Sequence, residues 1–150
     1  MSMEDNCGLG AIVSFVLGWF LAQSSKLVGC FLRKGGRIGL KEALECYARS
    51  GGMPSGHTTS FVGTTIYFGW EYGFMSGIFA LALCTTTIVV IDAINVRYAV
   101  GQQGKLLNRI ARDSEKGYRK QKVVEGHTVP QVIAGTIIGV LIGTIVSYIM

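Results

Sequence analysis

His57 and His127 are the only two histidines of the chain, and each stands at the head of an apolar run. His57 closes a turn, Ser50-Gly51-Gly52-Met53-Pro54-Ser55-Gly56-His57. A helix starting there aims its free backbone N–H groups and the positive end of its dipole at whatever sits in the turn. The glycines let a ligand approach the backbone closely, and an imidazole can donate or accept a proton near neutral pH. Lys26, Arg33 and Arg97 add three cations, and Asp92 is an ionisable residue inside an apolar segment, a functional candidate on that ground. Three cations, two imidazoles and a helix N-terminus suit a tetrahedral oxyanion. The sequence shows neither a metal-ligand spacing nor a P-loop pattern. The chemistry it offers is therefore phosphoryl transfer without metal or cofactor: one histidine attacks phosphorus, the other protonates the leaving oxygen, and the cations hold the remaining oxygens. On its own the turn also fits an ordinary helix entry, so the placement of the other groups decides.

Those groups meet only if membrane segments carry them to one level. Hydrophobic residues make up 49% and charged residues 15% of the 150, with mean hydropathy +0.42, a balance that indicates a membrane protein. The acidic start, Met1 to Asn6, lacks the basic region of a signal peptide. Segment one runs from about Cys7 to Leu32 and ends at Lys26 and Arg33, seven apart and so on one helix face. Leu40, Ala43, Leu44 and Tyr47 have the spacing of a short amphipathic helix on the membrane surface. Segment two spans about 55–70, with Glu71-Tyr72-Gly73 as a tight turn. Segment three starts at Phe74 and continues as helix through Ile110, and 113–126 is charged loop. Segment four spans 128–150. The expectation is an all-α polytopic membrane bundle forming a single domain over 1–150, with about four transmembrane helices and the interfacial helix. Gly135, Gly139 and Gly143 form a close-packing face, toward another helix of the chain or toward a second copy in a homo-oligomer. Cys7, Cys30, Cys46 and Cys84 show no paired spacing and read as reduced packing residues.

Charge sets the orientation. The connectors 24–54 and 97–127 hold all 14 Lys and Arg, among them Arg49, Lys116, Arg119 and Lys122. The opposite side carries Glu4, Asp5 and Glu71. The positive-inside rule places both connectors in the cytoplasm or its organelle equivalent, and both termini on the other side. Lys26 and Arg33 could serve as such topological anchors alone. Cations beside membrane spans are explained by topology and anionic headgroups, so no nucleic-acid partner is expected.

The residues resemble the type-two phosphatidic acid phosphatase and vanadium-haloperoxidase superfamily, and more closely its small divergent membrane branch. Lys26-Leu-Val-Gly-Cys-Phe-Leu-Arg33 is similar to the first motif, with Lys34 in place of proline. Pro54-Ser55-Gly56-His57 matches the second in full. His127-Thr-Val-Pro-Gln131 resembles the second half of the third, and Arg97 looks like its displaced arginine. The resemblance implies that His127 is the nucleophile that forms a phosphohistidine and His57 the general acid. It implies that Lys26, Arg33, Arg97, Ser55 and the Gly56 N–H bind phosphate. Gln131 stands where the superfamily has the aspartate that orients the nucleophile; an amide can hold the ring but cannot stabilise imidazolium as a carboxylate does. Asp92 is a candidate to supply that carboxylate from segment three; the alternative is a buried partner of Arg97 with no catalytic part.

The leading expectation is a lipid-phosphate phosphatase in the bilayer, with phosphatidylglycerophosphate, phosphatidate or a polyprenyl (di)phosphate as candidate substrate. The alternative is a catalytically weak or inactive member that binds anionic lipid or a partner through the same basic pocket. A small transporter ranks third, and nothing signals a haloperoxidase.

Overall fold

The computed structural model describes residues 3–48, 51–114, 120–121, 123 and 126–150, with side chains from Gly8 at the N-terminal end. Ser50, Arg49, Lys116, Arg119 and Lys122 lie outside the described residues, as do the side chains of Glu4, Asp5 and Cys7. The elements are α1 (Met3–Arg33), α2 (Leu40–Tyr47), α3 (Gly56–Tyr72), α4 (Gly77–Ile91), a π-turn (Asp92–Val96), α5 (Arg97–Ser114) and α6 (Val129–Ile149). The protein is a helical membrane bundle.

Among the described residues, three stretches are long and apolar enough to cross a membrane: Gly8–Arg33, Gly77–Ser114 and Val129–Ile149. The sequence leads one to expect four. The difference is α3, whose 17 residues reach about 25 Å at ~1.5 Å per residue. It is the central helix, packed against α1, α4 and α6. Its buried positions include Thr58, Thr59, Ser60, Gly63 and Thr65, because its surroundings are protein rather than lipid. Small and hydroxyl-bearing side chains allow close helix contact, and they lower the hydropathy that marks a lipid-facing span.

Contacts along α3 fix the directions of its neighbours. Gly10 of α1 faces Tyr67, Gly18 faces Ser60, and Lys26 lies against Gly52, so α1 runs antiparallel to α3. α4 is also antiparallel, with the Thr86 hydroxyl donating to the Phe61 carbonyl (3.3 Å) and that of Thr65 to the Ala82 carbonyl (3.3 Å). α6 runs parallel to α3: Gly135 meets Ser55 and Thr59, Gly139 meets Thr59 and Val62, and Gly143 meets Gly63 and Ile66. A Cβ at Gly139 would sit 2.8 Å from the Thr59 carbonyl oxygen, so the close approach requires glycine there. Of the two partners left open for Gly135, Gly139 and Gly143, α3 of the same chain occupies that face. The bundle therefore gathers the Gly51–His57 turn, the π-turn and His127 at one end. The start of α1 and the end of α6 lie at the other, near the apolar cluster of Ala11, Tyr67, Ile142 and Val146.

The turn expected at Glu71-Tyr72-Gly73 starts later. Glu71 and Tyr72 complete α3, held partly by the Ser147 hydroxyl donating to Glu71 Oε1 (2.8 Å). Gly73, at φ 90°, opens the turn, and Ser76 then caps α4 by accepting from the Phe79 N–H (3.3 Å). α2 occupies the expected stretch, with Tyr47 edge-on to Trp19 at 5.8 Å. It is tied to α1 by a disulfide between Cys30 and Cys46, contrary to the reduced state expected for these cysteines. Cys84 is free and exposed. The helix Gly77–Ser114 runs unbroken for 38 residues, about 57 Å at ~1.5 Å per residue. It outreaches a hydrocarbon core of ~30 Å, so its α5 portion extends beyond the core at the histidine end.

Candidate active site

The turn before α3 is built by Gly51 and Gly52, at φ 85° and 87°, where L side chains are strained. Gly52 faces the aliphatic stem of Lys26; a Cβ there would lie 3.8 Å from the Lys26 Cδ. Ser55 is fully buried. Its Oγ caps α3, accepting from the Thr58 N–H (3.3 Å) and the Thr58 hydroxyl (2.9 Å). Its own N–H donates to the Gln131 carbonyl (3.1 Å), which joins the turn to α6. Ser55, expected to bind phosphate, thus serves as cap and strut. The first-turn N–H groups of Gly56 and His57 have no intrahelical acceptor. His57 is exposed at this helix end, within electrostatic reach of Arg97, Lys26 and Asp92.

The π-turn sets the opposite wall. In an α-helix the Arg97 N–H would bond the Ala93 carbonyl; here it donates to the Asp92 carbonyl, five residues back. That register brings the Asp92 and Arg97 side chains together as an ion pair, Arg97 Nε donating to Asp92 Oδ2. It also takes away the ordinary helical donor of the Ala93 carbonyl, which accepts the His127 N–H instead (3.0 Å). Gly126 lies directly on the same backbone: a Cβ there would come 2.6 Å from the Arg97 carbonyl carbon. The histidine is therefore registered against the very segment that carries Asp92 and Arg97. Insertions of this kind recur at functional sites.

His127 is 5% exposed. Its Nδ1 lies 3.2 Å from Gln131 Oε1, and the same oxygen accepts the Thr128 N–H at 3.1 Å. A backbone N–H can only donate, so the Gln131 atom facing it must be the oxygen. Nδ1 of His127 then donates to Gln131 Oε1, and the ring makes a further hydrogen bond to the Gly52 backbone. Burial pushes the His127 pKa below the usual histidine value; Gln131 opposes this, Lys26 and His57 add to it, and the Gly52 backbone opposes it. The ring is buried and held in place from α6.

The fold thus brings Lys26, Gly56, His57, Asp92, Arg97, His127 and Gln131 to one end of the bundle. Arg33 is not among them. It shares the face of Lys26, but seven residues at ~1.5 Å each put it about 10 Å further along. There it lines a separate cavity of about 400 Å³ with Cys30, Lys34, Glu42, Glu45 and Cys46. Asp92 does not orient His127, as expected for a stand-in carboxylate; it holds Arg97, and Gln131 holds the ring. Sequence reasoning missed the Ala93 carbonyl, the Gly52 backbone and Gly126. Only Gly126 left a signal, a glycine directly preceding the histidine.

Residues 9–142 match the family described as the Divergent PAP2 family. A protein of Bacillus subtilis (strain 168) named "Uncharacterized membrane protein YuiD" is 27% identical over 114 residues, 66% of this chain and 72% of that protein. No solved structure matches. With a match that spans nearly the whole helical bundle and both histidines, the chain belongs to the Divergent PAP2 family, as an integral membrane protein.

Proposed function

We propose that the protein is a phosphatase of lipid phosphates that works through a phosphohistidine. The observation that carries this reading is the hydrogen-bond pair on Gln131, which orients the buried His127 ring through Nδ1 within electrostatic reach of Lys26 and His57. Nε2 attacks phosphorus and forms the P–N bond as the P–O bond to the lipid breaks. His57, protonated, gives its proton to the departing lipid oxygen. Water then attacks the phosphohistidine, His57 takes a proton from it, and the P–N bond breaks to release inorganic phosphate. Lys26, Arg97 and the first-turn N–H groups of α3 stabilise the oxygens that gain charge. α3 and α6 both direct their N-termini at this end, adding two positive dipole ends.

The excess of cations in the connectors supports a cytoplasmic site with both termini opposite, and the site end suits a lipid whose phosphate lies in that leaflet. Phosphatidylglycerophosphate, phosphatidate and polyprenyl (di)phosphates all meet these requirements. The test is phosphate release from such lipids by purified protein in the presence of a chelator. His127→Ala should abolish release and vanadate should inhibit it. Activity that survives loss of both histidines would refute the mechanism. A second reading rests on Gln131, whose neutral amide cannot offset imidazolium charge: a non-turning-over protein that binds anionic lipid or a partner. Background release with retained vanadate binding would select it.

A further inference from the structure

His57 shares its face of α3 with Phe61, Thr64 and Phe68, at steps of four, seven and eleven residues. Along that face, between α1 and α4, runs an apolar groove of about 240 Å³. Its residue nearest the histidine is Phe61, whose ring meets Phe15 of α1 edge-on at 5.4 Å. Ile78, Leu81 and Ala82 of α4 form the other wall. Phe61 and Phe68 lie about 6 and 16 Å below His57, at ~1.5 Å per residue.

Four threonines line the groove without making it polar. Thr64 donates to the Ser60 carbonyl (3.1 Å), Thr65 to that of Phe61 (2.8 Å) and Thr85 to that of Leu81 (2.9 Å). Thr86 is shared between the Thr65 hydroxyl (2.7 Å) and the Phe61 carbonyl (3.3 Å). Each hydroxyl is turned to backbone or to another hydroxyl, which leaves methyl groups as lining. The volume is below the ~300–1,000 Å³ of a pocket for a whole ligand and suits one chain segment.

We propose that this groove binds one hydrocarbon chain of the substrate, whose ester oxygen is the one protonated by His57. The inference rests on the phosphatase reading above. If His57 protonates the leaving oxygen, the lipid part departs on the His57 side, and the groove begins one helical turn below it on the same face. The site thereby selects a long-chain phosphate ester over a soluble one, and holds a single chain while any second chain stays in the bilayer.

The experiment uses the whole protein in lipid nanodiscs and a single-chain alkyl phosphate carrying a photoreactive group at mid-chain. Phosphate release and label position are read separately. Label concentrated on Phe61–Phe68 and Ile78–Thr86 supports the groove, whether or not phosphate is released; absent release condemns only the chemistry. Label spread evenly over lipid-facing positions such as Ile137 and Leu141 overturns it, as does a crosslinked second copy occupying the groove. Ala82→Phe should lower kcat/KM for the long-chain phosphate about tenfold relative to a short-chain one, within the range that overpacking costs. Thr85→Leu, at the exposed rim, gives a milder form of the same change should Ala82→Phe fail to fold. Equal effects on both chain lengths in a folded variant would also overturn the groove.

Discussion

Gln131→Glu is the most informative single substitution. The side chains have the same length and shape, so Oε1 keeps its place between the Thr128 N–H and His127 Nδ1. Only the charge changes. At 3.2 Å and an effective dielectric of about 20, a carboxylate and an imidazolium attract by ~5 kcal/mol. Desolvation of the new carboxylate offsets part of this, leaving a rise in the His127 pKa of about 1–3 pH units. The sign follows from the wild-type site. His127 is held below the usual ~6.5, so the neutral, reactive ring predominates above that pH and the acid limb of kcat/KM lies below it. In Gln131→Glu the acid limb moves upward by about 1–3 pH units. Near pH 6 the variant is then slower than wild type. Between that acid limb and the alkaline limb set by loss of the His57 proton it is faster, because the carboxylate stabilises the charge that develops on the ring in the transition state. The assay is phosphate release across pH 5–9 in nanodiscs, with tenfold in rate for each ~1.36 kcal/mol. An acid limb that stays where it was, in a folded variant, would refute both the contact and the role of the ring.

Three further outcomes are expected. Gly126→Ala pushes the chain off the π-turn and lowers kcat about 100-fold through misplacement of His127, with membrane insertion and thermal stability by circular dichroism little changed. Lys26→Ala lowers kcat by about 100- to 1,000-fold as a lost charge-stabilising donor, whereas Arg33→Ala, in its separate cavity, stays within a few-fold; matched kinetics of the two variants check this. Gly139→Val forces a Cβ against Thr59 and Val62 and destabilises the bundle by roughly 1–3 kcal/mol, read as a lower unfolding midpoint in detergent.

What the sequence disclosed depends on how local each signal is. The apolar runs that became α1, α4 and α6 are visible because lipid contact demands continuous hydrophobicity. α2 is visible through its i, i+3, i+4, i+7 spacing. α3 is harder to read as a span because a helix enclosed by helices carries Ser, Thr and Gly where a lipid-facing one carries Leu and Ile. The glycine repeat of α6 announced a close contact, but a repeat holds no information about the partner's identity. The His57 turn was legible from glycine, proline and histidine together. The π-turn was not: one extra residue per turn leaves no mark in composition, yet it pairs Asp92 with Arg97 and frees the carbonyl that seats His127. Arg33 shows the opposite failure, where a spacing that places two residues on one face says nothing of the distance between them along the axis. Cys30 and Cys46 are 16 residues apart, a separation with no local pattern, and only the return of α2 along α1 brings them together.

α3 and α6 are interlocked through glycines at three successive turns, and each bears one of the histidines at its start. The spacing between His57 and His127 is consequently set by one closely packed pair of helices. At each of these turns a backbone carbonyl of α3 lies where a side chain on α6 would otherwise stand. The cations at this end stand on other elements: Lys26 near the end of α1, and Arg97 at the π-turn of the long α4–α5 helix. The two imidazoles thus belong to one helix pair and the cations to its neighbours.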